Sequence, residues 1–157
     1  MTFDEAFARM VKHEGGYVDH RADPGGETRY GISKRSYPHL DIKSLTLAQA
    51  REIYLRDFWD AAGCTAVPDG IKFDLFDTAV NSGCNRAVRL LQRACCAAED
   101  GQLGPRTLQA INSMHPMTLV ARYNAARLAF MAGLPNWPAF GRGWANRIAS
   151  NILESKA

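Results

Sequence analysis

Glu14 stands eleven positions after Phe3, at the end of an apolar stripe of Phe3, Phe7, Met10 and Val11 and directly before Gly15-Gly16. At about 100° per helical residue, that spacing returns the carboxylate to the Phe3 face. A carboxylic acid partly withdrawn from water keeps its proton to higher pH, because the charged form loses hydration. Such a group can act as a general acid near neutral pH. Periodicity alone equally allows an ordinary helix-end glutamate that reaches solvent. Asp23 follows Glu14 by nine residues, and Thr28 follows Asp23 by five, across a loop containing Pro24-Gly25-Gly26. A loop that folds back as a hairpin would set Asp23 and Thr28 across a cleft from Glu14. An acid, a carboxylate that directs water and a hydroxyl that helps place it suit glycosidic hydrolysis. That reaction needs proton donation to the leaving oxygen and a second group on the opposite face of the sugar. The same residues can be read more plainly, as an Asx turn at Asp23 before Pro24 and a strand residue at Thr28.

Further residues have the chemistry to touch a glycan. Tyr17 and Tyr30, close to Glu14 in sequence, can stack on sugar faces or pack within the hairpin. Asn81, at a helix end before Gly83, can bond hydroxyls or N-acetyl groups, or simply cap the helix. Gln92 can point into the cleft or lie on a helix surface. Glu27 is the other loop carboxylate and is expected to be exposed. His13-Glu14-Gly15-Gly16-Tyr17 opens like the HExxH zinc motif, but its fifth position is tyrosine, so the second ligand is missing. No metal site and no cofactor are expected. The chain has no phosphate-binding Gly-Lys-Ser/Thr loop and no serine in a nucleophile elbow.

The elements that must position these residues read as helical almost throughout. Thr2 and Glu5 form a capping box for a first helix. Short β-prone pieces, Tyr17-Val18 and Thr28 to Ile32, flank the Asp23–Gly26 turn and predict a small hairpin. Thr46 and Gln49 form a second capping box, for a helix running to about Ala62. Val67-Pro68-Asp69-Gly70 marks a lobe boundary, giving an N-terminal lobe over 1–68 and a helical C-terminal lobe over 69–157. Asp69 is expected to cap a helix through Val80, and Asn85 the next, which ends at Asp100-Gly101. Pro105 suits the first position of another helix. A longer helix follows Pro116 toward Gly133. A last helix carries Trp144, Ile148 and Ile152 in register, which predicts that they pack in the core.

The chain has 157 residues, of which 46% are hydrophobic and 22% charged. Those values fit one globular domain and exclude a disordered or fibrous chain. The net charge of +3 is uneven, with six basic and one acidic residue from Gly101 onward. A basic C-terminal third suits an anionic partner such as cell wall, membrane surface or nucleic acid. Aromatics and arginines interleave at Trp137, Phe140, Arg142, Trp144 and Arg147, as on a nucleic-acid surface, but the helical register of Trp144 favours packing. No nucleic-acid partner is expected. Arg122 and Arg127 cut the longest apolar stretch, so no membrane insertion is expected. The first residues lack the positive start and apolar run of a secretory signal. Cys64, Cys84, Cys95 and Cys96 match no zinc spacing and are expected to be reduced core thiols.

Glu14-Gly15-Gly16-Tyr17, Asp23-Pro24-Gly25-Gly26-Glu27-Thr28 and Gly31-Ile32-Ser33 together resemble the signature of glycoside hydrolase family 108. These are lysozyme-like N-acetylmuramidases of phage endolysins and secretion-associated bacterial enzymes. The resemblance continues through Leu45-Thr46, Asp77 to Gly83, Leu91-Gln92, Asp100 to Pro105 and Phe140 to Arg147, nearly the whole chain. It implies a mainly α lysozyme-like fold (α+β, with one small β-hairpin) whose two lobes flank a cleft. It implies Glu14 as catalytic acid, with Asp23 and Thr28 completing the set. The wider phage lysozyme group usually has one more residue before its threonine. The second half resembles the segment described as peptidoglycan-binding in this family.

The expected activity is cleavage of the β-1,4 bond between N-acetylmuramic acid and N-acetylglucosamine, with glycan strands of peptidoglycan as partner. A phage lysis enzyme is expected, monomeric and made in the host cytoplasm without a signal peptide. It would reach the periplasmic wall through a separate holin-like exit. The alternatives are a bacterial muramidase that remodels the wall for secretion and a non-catalytic peptidoglycan-binding protein of the same fold.

Overall fold

The computed structural model describes residues 1–12 and 26–155. Glu14, Tyr17 and Asp23 lie outside the described residues, as do the Gly15-Gly16 helix stop, the Tyr17-Val18 strand and the histidines at 13 and 20. In chain order the elements are α1 (Phe3–Lys12), β1 (Thr28–Arg29), β2 (Ile32–Ser33) and α2 (Leu47–Tyr54), which continues as π-helical turns over Leu55–Asp60. A 3-10 turn at Cys64–Ala66 precedes α3 (Asp69–Ser82), α4 (Cys84–Ala94), α5 (Pro105–Asn112), α6 (Pro116–Ala132) and α7 (Trp137–Glu154). Among the described residues the chain is mostly helical with one two-stranded sheet, the mainly α class with a small β-hairpin expected from the sequence.

The residues form two compact units, Thr2–Asp57 and Phe58–Ala157, with Met1 joining the second. The division precedes the Val67–Gly70 turn. Trp59 explains why: its indole N–H donates to Thr65 at 2.9 Å, and its ring meets Phe76 of α3 edge-on at 5.5 Å. The segment before the turn is thereby tied to α3 beyond it.

In the Thr2–Asp57 unit both capping boxes form. The Thr2 N–H donates to Glu5 at 2.7 Å, and the Glu5 N–H returns to Thr2 Oγ1 at 3.3 Å. Thr46 and Gln49 exchange the same pair of bonds at 2.9 and 3.2 Å. Each box satisfies donors that the helix start leaves without partners. The helices bury Ala6, Phe7 and Met10 of α1 and Ala50, Ile53 and Tyr54 of α2. Phe7 and Tyr54 meet with ring centroids 5.6 Å apart, and Arg51 bridges to Asp4 at 2.6 Å.

Among the described residues, strand Thr28–Arg29 pairs with Ile32–Ser33 around a Tyr30-Gly31 turn, within the predicted Thr28–Ile32 β-prone piece. The expected turn at 23–26 lies, but for Gly26, outside the described residues. Tyr30 and Gly31 have φ of 51° and 76°. Positive φ at both central residues is the type I′ geometry, whose twist matches that of paired strands. Gly31 adopts it without strain, whereas Tyr30 needs an anchor. The buried Tyr54 supplies one, its hydroxyl donating to the Tyr30 carbonyl at 3.0 Å.

In the Phe58–Ala157 unit, α3 is the central element and is buried from Ile71 to Ala79 except at Lys72. It packs against α4 and α6, and α6 packs against α7. Val88, Leu90 and Leu91 of α4, Leu119, Val120 and Tyr123 of α6, and Ile148 of α7 complete the core. Two expected caps are not caps. Asp69 is the first residue of α3 and instead pairs with Lys72 at 2.7 Å and with the Met1 ammonium at 2.5 Å. Asn85 lies inside α4, where it accepts from Arg89 at 2.9 Å.

Helix α4 also stops earlier than expected. Cys96 takes the left-handed conformation at φ 59°, and the Ala97 N–H reaches back to the Gln92 carbonyl at 2.8 Å. This is a Schellman stop built without glycine. Cys64 and Cys95 are core residues as expected, but Cys96 is exposed. On α7, Ile148 is buried while Trp144 is only half-buried and Ile152 is exposed. Trp144 instead joins a surface aromatic group, 6.1 Å from Trp137 and stacked on Phe140 at 5.9 Å.

Candidate functional site

The hairpin fixes two of the expected site residues. Thr28 is half-buried on β1, and its hydroxyl donates to the Gly26 carbonyl at 3.3 Å. Its proton is therefore committed to the backbone, and the oxygen keeps lone pairs to accept a hydrogen bond from water or substrate. Tyr30 is half-buried at the turn, with the Arg29 guanidinium over its ring at 5.3 Å. Glu27, expected to be exposed, is half-buried. Its carbonyl accepts from the Lys34 N–H at 2.8 Å, which extends the hairpin by a further bond.

Asn81 lies in the last turn of α3, one turn after Asp77, and its side chain is exposed. Its Nδ2 donates to the Asp77 carbonyl at 2.7 Å and to Asp77 Oδ1 at 3.3 Å. Asp77 is fully buried and gathers donors from two other helices. Arg127 Nη2 of α6 donates to Oδ2 at 2.6 Å, and Asn151 Nδ2 of α7 donates to the same oxygen at 3.0 Å. Arg147 of α7 donates from Nη2 and Nε to Oδ1 at 2.6 and 2.8 Å. Burial alone would raise the Asp77 carboxyl, but the Arg127 and Arg147 guanidiniums outweigh it and hold the group below the ordinary carboxylate range. Asp77 is thus an anion at neutral pH with both oxygens occupied, suited to orienting its neighbours and unsuited to shuttling protons there.

Sequence reasoning misses Arg127, Arg147 and Asn151 in this role. The available signal is an arginine inside the apolar run of α6 and an aspartate inside the buried face of α3. This pairing also revises the charge argument. Arg127 and Arg147 contribute to the basic excess of the C-terminal third, yet both turn inward to Asp77, and Arg127 is fully buried.

Gln92 needs a correction as a glycan-contact residue. It is fully buried, and its carboxamide is spent on the 100–107 turn. Its Nε2 donates to Asp100 Oδ1 at 2.6 Å, the Gln102 carbonyl at 3.0 Å and Thr107 Oγ1 at 3.2 Å, while its Oε1 accepts from the Gly101 N–H at 2.8 Å. The hydrogen bonds from Gln92 and from the Gln102 N–H keep the Asp100 carboxyl below its usual range. Gly101 adopts φ 79° in that turn, and a Cβ there would collide with the Asn85 carboxamide. The Asp100–Pro105 segment is therefore a helix–helix joint locked from beneath by Gln92. Among the described residues no group of three or more His, Cys, Asp or Glu side chains is placed to hold a metal ion.

The geometry supplies a hairpin that presents Thr28 and Tyr30 and, separately, a helix end that presents an oriented Asn81. Comparison with known proteins gives these parts a context. The family model described as Glycosyl hydrolase 108 matches residues 7–83. That span contains Glu14, Asp23, Thr28, Tyr30 and Asn81. A second model, Predicted Peptidoglycan domain, matches residues 86–149. No curated protein matches the chain. Among solved structures, that of Brucella abortus SagA is similar at 33% identity and a TM-score of 0.88, covering 96% of this chain and 91% of the other. On these matches the chain belongs to the glycosyl hydrolase 108 family, as a glycoside hydrolase whose partner is peptidoglycan.

Proposed function

We propose that the protein is an N-acetylmuramidase, cleaving the β-1,4 bond between N-acetylmuramic acid and N-acetylglucosamine in peptidoglycan strands. The observation that carries this reading is the Glycosyl hydrolase 108 match over residues 7–83, which contains the Glu14, Asp23 and Thr28 set. Glu14 protonates the leaving glycosidic oxygen. Asp23, on the opposite face of the sugar, directs water or stabilises the oxocarbenium charge that develops at the anomeric carbon. Thr28 accepts a hydrogen bond from that water, because its own proton is already given to the Gly26 carbonyl. Tyr17 and Tyr30 offer ring faces to the sugars.

In this reading the enzyme is a monomeric lysis protein of phage origin. It is made in the host cytoplasm and reaches the periplasmic wall when a separate holin-like protein opens the membrane. The likeness to a Brucella abortus protein favours a second biological setting for the same chemistry, a bacterial enzyme that opens its own wall. The test is digestion of purified sacculi, with the fragments read by mass spectrometry. A muramidase leaves reducing N-acetylmuramic acid ends. Reducing N-acetylglucosamine ends, anhydro ends or cleaved peptides would each assign a different bond or reaction. Binding without release of fragments would make the protein a non-catalytic wall-binding module.

A further inference from the structure

We propose that Asp77 is a positioning residue that turns the Asn81 carboxamide so that its oxygen receives the amide N–H of an N-acetylated sugar. The inference rests on the muramidase reading for its ligand class and on the geometry at the end of α3 for everything else.

The orientation of Asn81 follows from its partners. The carboxamide lies against the Asp77 main-chain carbonyl at 2.7 Å and against Asp77 Oδ1 at 3.3 Å. A carbonyl oxygen only accepts. The Asp77 carboxylate also only accepts, since it is ionised between two guanidiniums. The NH2 end of Asn81 must therefore face Asp77, because the flipped amide would set oxygen against two oxygens. The carboxamide oxygen is left pointing away from Asp77, on an exposed side chain. A neutral acceptor held in one direction selects a donor. Each N-acetylated sugar carries one amide N–H beside the glycosidic bond.

Asp77 is itself prevented from turning. Its carboxylate is gripped from α6 by Arg127 and from α7 by Arg147 and Asn151, so three helices meet at one side chain. Burying such a group is a poor way to gain stability, since apolar side chains of similar volume do as well or better. It is an effective way to fix the direction of a neighbour, and the neighbour with an exposed polar end is Asn81. The Glycosyl hydrolase 108 match ends at residue 83, just past Asn81.

The test measures binding of an N-acetylglucosamine tetramer by NMR titration or calorimetry, with a glucose tetramer as control, for wild type, Asn81→Ala and Asn81→Asp. Loss of that hydrogen bond is expected to weaken binding of the N-acetylated tetramer about tenfold in Asn81→Ala, whereas Asn81→Asp keeps an acceptor oxygen and should weaken it less. Binding of the glucose tetramer should stay unchanged in Asn81→Ala. Asp77→Asn loosens one of the two acceptors that hold the Asn81 NH2 end and leaves the main-chain carbonyl in place, so it should weaken the same binding, by less than Asn81→Ala does. Its effect should not add to that of Asn81→Ala, whereas a merely structural aspartate would leave the affinity of the folded variant unchanged. Should Asp77→Asn not fold, Arg147→Lys loosens the grip on Oδ1 while keeping the charge and should weaken binding in the same way. Unchanged affinity in Asn81→Ala, equal loss for both tetramers, or no binding of the N-acetylated tetramer by wild type would each overturn the proposal. Sacculus digestion by the same wild-type preparation reports separately on the muramidase reading.

Discussion

Asp77 and Arg127 are fifty residues apart in sequence and meet at 2.6 Å, with neither side chain exposed. Arg147 closes the cluster on the other carboxylate oxygen. Truncating one partner of a buried ion pair leaves an uncompensated charge in a medium that solvates it poorly. Such a loss typically costs about 3–5 kcal/mol. Asp77→Ala should lower the unfolding free energy by about that amount in urea titrations. A loss below about 1 kcal/mol would mean that the two guanidiniums find water when the carboxylate is removed.

The same cluster sets a direction for acid sensitivity. The Asp77 carboxyl is held below its ordinary value of 3.8 in the folded protein. A group whose folded pKa is depressed contributes stability that is fully present above its unfolded pKa. That contribution is lost as pH falls through the folded value. Thermal unfolding midpoints should therefore show no Asp77-dependent change between neutrality and about pH 5, then fall below about pH 4. Asp77→Asn should flatten that acid limb. An acid limb identical in the two proteins would remove Asp77 from the explanation.

Gln92 makes a stability prediction where the sequence suggests a binding one. Its carboxamide serves four partners in the 100–107 turn. Gln92→Leu keeps the bulk and strands those partners, so it should cost about 2–4 kcal/mol. Binding to sacculi at a temperature where both proteins are folded should match wild type. A variant of normal stability and weakened binding would return Gln92 to the glycan surface.

The cysteines should differ in reactivity. Burial, followed by the neighbouring Cys84 and Asp60, pushes the Cys64 thiol up, away from its reactive form. Cys96 is exposed, and Arg122 Nη2 donates to its sulfur at 3.0 Å. Under native conditions a thiol reagent should modify Cys96 readily and leave Cys64 untouched until denaturant is added, as peptide mapping would show. Rapid native labelling of Cys64 would contradict the packing described around α3.

The features legible in the sequence are mostly local. The boxes at Thr2/Glu5 and Thr46/Gln49 and the prolines at 105 and 116 act within a single helical turn, so their residue types announce them. Interactions over fifty or more positions leave no such mark. Asp77 looks like one acid in a helix until α6 and α7 bring Arg127, Arg147 and Asn151 to it. Gln92 misleads for the same reason: polar residues are usually exposed, and only the folded 100–107 turn gives its amide enough partners to be buried. The β-prone Thr28–Ile32 piece is legible but the tight turn inside it is not, because the positive φ of Tyr30 is anchored by the distant Tyr54 hydroxyl. Trp144 keeps helical register with Ile148, yet register alone does not say how far along a helix its covering partner extends.

That Glu14 supplies the proton for glycosidic cleavage is tested most directly by comparing wild type with Glu14→Gln on purified sacculi. Circular dichroism and urea midpoints would first establish that both are folded. General acid catalysis of this kind contributes about 10²–10⁴-fold. Wild type should release fragments with reducing N-acetylmuramic acid ends, and Glu14→Gln should lose activity by at least that range while still binding sacculi. Equal release by both proteins would contradict this role and move the acid to another residue.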